Sequence, residues 1–224
     1  MNKSELLDLI ARMRIYEDGY ISNQTTGWKA MQEANKLSDR NLLPILYEIV
    51  EDNEGKDQQK QFIRCYCYHI IGEITKKTFE YRDAVYIFKR LKDEYKNHDA
   101  LGSVIDIIYF GWQRDANIFV PKEIDITPLL EIATTKRGGL KCRAIEALGN
   151  CPVKESREFL RGILTQEDEK KYKEEIRSAN IALQRNGEPE DIPYLERFLK
   201  SRFPNSKITA QYAIKFIKER NNLQ

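Results

Sequence analysis

LKCRAIEALGNC, residues 140–151, sets the architecture, because IRCYCYHIIG at 63–72 repeats its plan. At about 100° per residue, Leu140, Ala144, Ala147 and Leu148 fall within about 100° of arc, the apolar stripe of a packed helix. Ile63, Cys67, Ile70, Ile71 and Ile74 do the same. In both phrases a cation follows the first apolar residue (Arg64, Lys141) and a glycine closes the pattern (Gly72, Gly149). The expectation is a helix that ends there in a left-handed residue. Ala144 and Ala147 let a second helix approach more closely than leucine would.

Shifting the sequence by 35 residues lays Ala144 on Ala179, Ala147 on Ala182, Leu148 on Leu183, Leu160 on Leu195 and Leu164 on Leu199. A period of this size marks units that bury their apolar faces only by stacking on their neighbours. The expected fold is therefore all-α, a right-handed α-α superhelix of about six helical hairpins forming a single domain over 1–224. The hairpins are placed at 4–37, 39–74, 82–112, 126–149, 154–187 and 190–220, with the first helix running 4–17. Asp39, Thr127 and Ser156 sit near first-helix starts, Asn205 and Ser206 before the last helix, and Pro44, Pro128 and Pro193 in or near first turns, where a missing N–H costs little. No segment alternates with period two over a convincing length, so strands are not expected. The connector QRDANIFVPKEID (113–125) reads as an ordered loop packed by Phe119 and Val120, the alternative being a flexible joint between two blocks.

These phrases resemble the HEAT repeat family, whose first helix often carries a proline and whose second reads apolar, basic, two variable, Ala, three variable, Leu, Gly. LKCRAIEALG and IRCYCYHIIG carry the resemblance best, with TPLLEIA supplying Pro128. It covers 39–220 and implies an architecture, not an activity. A tetratricopeptide array has a similar period, but its Trp-Leu-Gly-Tyr pattern is missing.

Composition bounds the function. Of 224 residues, 41% are hydrophobic and 32% charged, enough for a core under a large wetted surface. The net charge of +2 gives no global field of the kind that draws a protein to nucleic acid or an anionic membrane. The N-terminus carries acidic residues at 5 and 8 and no long apolar run, so no secretory signal or membrane span is read and the expected location is the cytoplasm. Cys65, Cys67, Cys142 and Cys151 lie in apolar helical phrases and are expected as reduced thiols. Cys65 and Cys67, two apart beside His69, face different sides of a helix and make no metal site.

HEAT-like stacks place their second helices along a concave wall. Tyr68, Phe110, Ile145 and Ile181, with Gln61, Asp106, Lys141, Arg177 and Gln184, are the candidate ridge of that wall, an aromatic and aliphatic surface with a polar rim. The competing reading makes them contacts between repeats. Arg64, Lys141 and Arg177 form a basic row, expected to tie repeats together by bonding to acidic residues or carbonyls of the neighbouring turn. Lys207, Gln211, Lys215 and Lys218 read as the wettable face of a terminal helix.

Support for catalysis is thin. There is no phosphate-cradling glycine loop, no HExxH and no GxSxG; His69 and His98 lie in different hairpins, and His69 reads as a packed ring. One branch of HEAT-like proteins, the alkylpurine DNA glycosylases, uses a Trp and an Asp beside a basic groove. Trp112 and Asp115, with Arg114 between, match loosely, and Trp112 falls on the core stripe with Leu101, Ile105 and Ile108. The expectation is a monomeric, non-enzymatic scaffold without cofactor that grips another protein, of which an inhibitor or immunity-type protein covering a toxin is one specific form. Nucleic-acid binding is the alternative.

Overall fold

A computed structural model describes residues 1–15 and 24–223. Among these residues there is no strand, the helices pack against their neighbours, and no helix is long and apolar enough to cross a membrane. Two compact units follow one another, Met1–Ala116 and Asn117–Gln224; their boundary falls inside the 113–125 connector.

The first unit holds α1 (Lys3–Met13), α2 (Thr26–Ala34), α3 (Leu43–Asp52), α4 (Gln58–Thr78), α5 (Tyr81–Asp93) and α6 (His98–Asp106). Helix α1 closes at Met13, short of the 4–17 expected, and residues 16 and 17 lie outside the described residues. The Asn2 side chain caps it, accepting from the Glu5 N–H at 3.0 Å while Glu5 reaches back to the Asn2 N–H at 2.7 Å. Pro44 occupies the first turn of α3 as expected. Helix α6 runs without a break into a π-helical segment, Ile107–Asp115, where the sequence pattern suggests ordinary helix. Consecutive helices pair α1 with α2, α3 with α4 and α5 with α6, and α4 also packs along α6. The last two run the same way. Arg64, early in α4, binds Glu94, which also accepts from Asn97 just before α6, while Thr75 and Lys76 near the end of α4 meet Trp112 and Asp115.

The second unit holds α7 (Thr127–Thr135), α8 (Gly138–Ala147), α9 (Lys154–Leu164), α10 (Glu169–Asn186), α11 (Ile192–Glu196) and α12 (Pro204–Arg220). Helices α8, α10 and α12 lie side by side. Lys141 and Asn150, at either end of the α8 phrase, meet Glu175 and Arg185 of α10; Asn180 and Gly187, within and just after α10, meet Ser206 and Arg220 of α12. All three therefore run in one direction. Ser156 sits in the first turn of α9, near the helix start as expected, where it is buried and donates to the Leu148 carbonyl at 2.8 Å.

Neither phrase-closing glycine is a left-handed cap. Helix α4 continues through Gly72 to Thr78, Gly149 sits in a 3-10 turn (Leu148–Asn150), and neither has positive φ. Both are needed for close approach. A Cβ on Gly149 would lie 2.8 Å from the Ala182 Cα and carbonyl oxygen, and one on Gly72 would lie 3.2 Å from Ile107 Cγ1. Each glycine admits the next helix of its row.

Candidate functional site

The register of each second helix fixes which side chains it offers. In α4, α8, α10 and α12 a fully buried pair three residues apart marks the core line: Cys67 and Ile70, Ala144 and Ala147, Ala179 and Ala182, Ala210 and Ala213. Residues two before, two after and six after the first member share one edge, turned away from that line. These are Cys65, His69 and Glu73 in α4; Cys142, Glu146 and Asn150 in α8 and the turn that follows it; Arg177, Ile181 and Arg185 in α10, with Gln184 beside them; and Ile208, Tyr212 and Phe216 in α12, with Lys215 beside them.

The ridge expected from sequence was therefore turned by one residue in two helices. Tyr68 and Ile145 are 0% exposed. One residue is about 100° of rotation, enough to carry them from the outer edge to the side covered by the next helix. Tyr68 belongs to a buried ionic network, donating to Glu94 Oε1 at 2.8 Å and accepting from Arg90 Nε at 3.0 Å. Phe110 is exposed; Asp106, Ile181 and Gln184 are half-buried, and Gln61 is turned back onto the Lys56 carbonyl at 3.0 Å.

The basic row holds neighbouring segments together. Arg64 is 1% exposed, binds both oxygens of Glu94 and donates to the carbonyls of Asn53 and Gly55. Lys141 pairs with Glu175 and Arg177 with Glu146, each at 3.3 Å. Sequence periodicity found these three cations but not their acidic partners, which lie about 30 residues away along the chain.

In the first unit the outer edge borders a cleft of about 310 Å³ between α4 and α6, lined among others by Cys65, His69, Glu73, Ser103, Asp106 and Phe110. Its chemistry-bearing groups are engaged separately. His69 Nε2 lies 2.7 Å from Asn35 Oδ1, an acceptor, so that nitrogen carries the proton; burial pushes the ring below its ordinary pKa. Burial pushes the Cys65 thiol up, with Ser103 acting in the opposite sense. A thiol held protonated is a weak nucleophile. Glu73 and Asp115 share Lys76, at 2.7 and 3.0 Å.

Trp112 and Asp115 do not form a base-excision pair. Trp112 is 0% exposed, donates from Nε1 to Thr75 Oγ1 at 3.0 Å and packs edge-on against Phe79, while Asp115 is taken by Lys76. His98 is exposed beside Asp99 at 3.3 Å, away from His69.

In the second unit exposure rises along the row. Glu146 and Asn150 are buried, Arg177, Ile181 and Arg185 of α10 are half-buried, and Ile208, Tyr212 and Phe216 of α12 are 47%, 52% and 41% exposed. The lysine-rich face expected to keep α12 wettable is present, with Lys207, Gln211 and Lys215 exposed. The apolar line beside it was missed. Its signal was legible, since Ile208, Tyr212 and Phe216 recur every four residues, but the alanines at 210 and 213 were needed to show which side faces inward.

Phe119 extends this surface. The Arg185 guanidinium stacks 4.1 Å above its ring, and Val120, buried, donates to the Asn150 carbonyl at 2.8 Å. Residues 117–120 are thus an ordered part of the second unit. No family model matches the chain, and no curated protein is significantly similar to it.

Proposed function

We propose that this chain is a non-enzymatic, HEAT-like helical-repeat scaffold that binds another protein through the outer edge of its second helices. The observation that carries the reading is the line Ile208, Tyr212 and Phe216, exposed on α12 and flanked by the half-buried Ile181 and Arg185 of α10. Large apolar and aromatic side chains beside arginine are the composition of an interface centre. Their neighbours inward, Ala210 and Ala213, are small and fully buried. The side-by-side α8, α10 and α12, with a glycine or alanine at each close approach, support the repeat reading. An inhibitor or immunity-type protein is one form such a scaffold takes.

Against nucleic acid stand the burial of Trp112 and the pairing of Lys141 and Arg177 with carboxylates, which removes two of the cations a phosphate backbone would need. The test compares the full chain with Tyr212→Asp/Phe216→Asp in quantitative cross-linking and capture from native cytosol, at low and high salt. The reading expects one protein to be retained at high salt by the parent chain and lost by the variant. A bound fraction that is chiefly nucleic acid, or one indifferent to the double substitution, would overturn it.

A further inference from the structure

The same face of the second unit carries two guanidinium groups with no acidic partner among the described residues. Arg185 donates from Nε to Asn150 Oδ1 at 2.9 Å, from Nη1 to Asn117 Oδ1 at 2.7 Å and from Nη2 to the Ile118 carbonyl at 3.1 Å. All three acceptors are neutral. Arg220, close enough for the two charges to repel, donates only to the carbonyls of Gln184 and Gly187. An arginine has five N–H donors, so each group keeps some unused. Burial and the neighbouring Arg220 lower the Arg185 pKa to about 10, the mark of a positive charge that its surroundings do not offset. Elsewhere in the chain the less exposed arginines meet carboxylates: Arg64 with Glu94, Arg90 with Glu54 and Glu94, Arg161 with Asp191.

Fastening the 117–120 segment to α10 explains the direction of Arg185 but not its charge, because neutral acceptors ask only for N–H groups. Beside it the amide of Asn150, 0% exposed, spends its oxygen on Arg185 and leaves Nδ2 buried with no acceptor. Such a group is rare in a folded chain. Arg185 lies against Phe119, where a partner would shield its charge further from water and strengthen any ion pair formed.

We propose that the protein recognised on this face is acidic: a segment whose carboxylates bind Arg185 and Arg220 while its apolar side chains lie on Tyr212 and Phe216. This rests on the docking reading above and adds the partner's charge to it. Carboxylate is favoured over a phosphate chain because the guanidinium groups without an acidic partner are two and adjacent, and the neighbouring Lys215 already meets Glu219 at 3.7 Å, whereas a nucleic-acid track needs a longer basic row.

The test uses the full chain and three fluorescein-labelled probes followed by anisotropy. Two are peptides with identical apolar residues, one with Glu and one with Lys at every polar position; the third is a short single-stranded oligonucleotide. The Glu peptide should bind at least about tenfold more tightly than the Lys peptide, and Arg185→Gln or Arg220→Gln should each weaken it about tenfold. Lys207→Gln, on α12 but outside this line, should leave it unchanged. Arg220→Gln guards against misfolding, since Arg220 is exposed and touches neither Asn117 nor Asn150. Equal binding of the two peptides, no binding by either, indifference to both arginine variants, or tighter binding of the oligonucleotide would each overturn the proposal. The docking reading is judged separately, by whether capture depends on Tyr212 and Phe216.

Discussion

The guanidinium of Arg64 closes on the carboxylate of Glu94 with two hydrogen bonds, Nε to Oε1 at 2.7 Å and Nη2 to Oε2 at 3.0 Å, each side chain 1% exposed. The pair joins α4 to the end of α5, and Tyr68, Arg90 and Asn97 fill the remaining acceptor sites on Glu94. Removing one partner strands the other in a dry site. Arg64→Met should cost about 3–5 kcal/mol, and the double variant Arg64→Met/Glu94→Met less than the sum of the two single changes. Urea unfolding of the four proteins measures this coupling.

Acid should weaken the first unit in two stages. His69 is pushed by burial below its ordinary 6.5, so the unfolded chain takes up a proton that the folded ring resists, and stability falls as pH drops below about 6.5. Burial alone would raise Glu94, but the bonds from Arg64, Tyr68 and Asn97 outweigh it and hold the group below its ordinary 4.5. Its contribution is present above that value and is lost as pH falls through the folded pKa. Urea midpoints taken from pH 7 to pH 3 should decline throughout, and His69→Gln should flatten the upper part only.

Two glycine-to-alanine changes should have opposite signs. In Gly149→Ala the new Cβ meets Ala182 backbone at 2.8 Å, so α10 has to shift, at about 1–3 kcal/mol. Gly162, exposed inside α9, has nothing within 4 Å of an added Cβ, and Gly162→Ala should stabilise by about 0.4–1 kcal/mol. Thermal unfolding of the pair separates close approach from backbone freedom.

Aspartate placed on the buried or the open side of a second helix should separate core from surface. Tyr68→Asp and Ile145→Asp bury a carboxylate where exposure is 0%, and each should cost more than about 4 kcal/mol. Tyr212→Asp and Phe216→Asp, at 52% and 41% exposure, should stay within about 0.5 kcal/mol of the parent. Circular dichroism melts decide it: a cooperative loss of fold in the α12 variants would mean that this line packs against the chain itself.

The helices were legible because a 3.6-residue apolar period is a local property, and so were the prolines of first turns. The π-helical segment was not, since its apolar pattern reads as ordinary helix; within it Trp112 donates to Thr75 and packs against Phe79. Gly72 and Gly149 suit a left-handed cap in isolation; only the neighbouring helix shows that the missing side chain is what matters.

From its sequence alone this chain is all-helical, with small residues at regular intervals where another helix comes close and cations placed to tie segments together. Which edge of each helix stays open is a tertiary matter. It turns on a rotation of about 100°, one residue, and burial of Tyr68 and Ile145 follows from the helix packed alongside, not from their own type. The same holds for Arg185: its charge is written in the sequence, but its neutral surroundings were settled only when distant segments folded against α10.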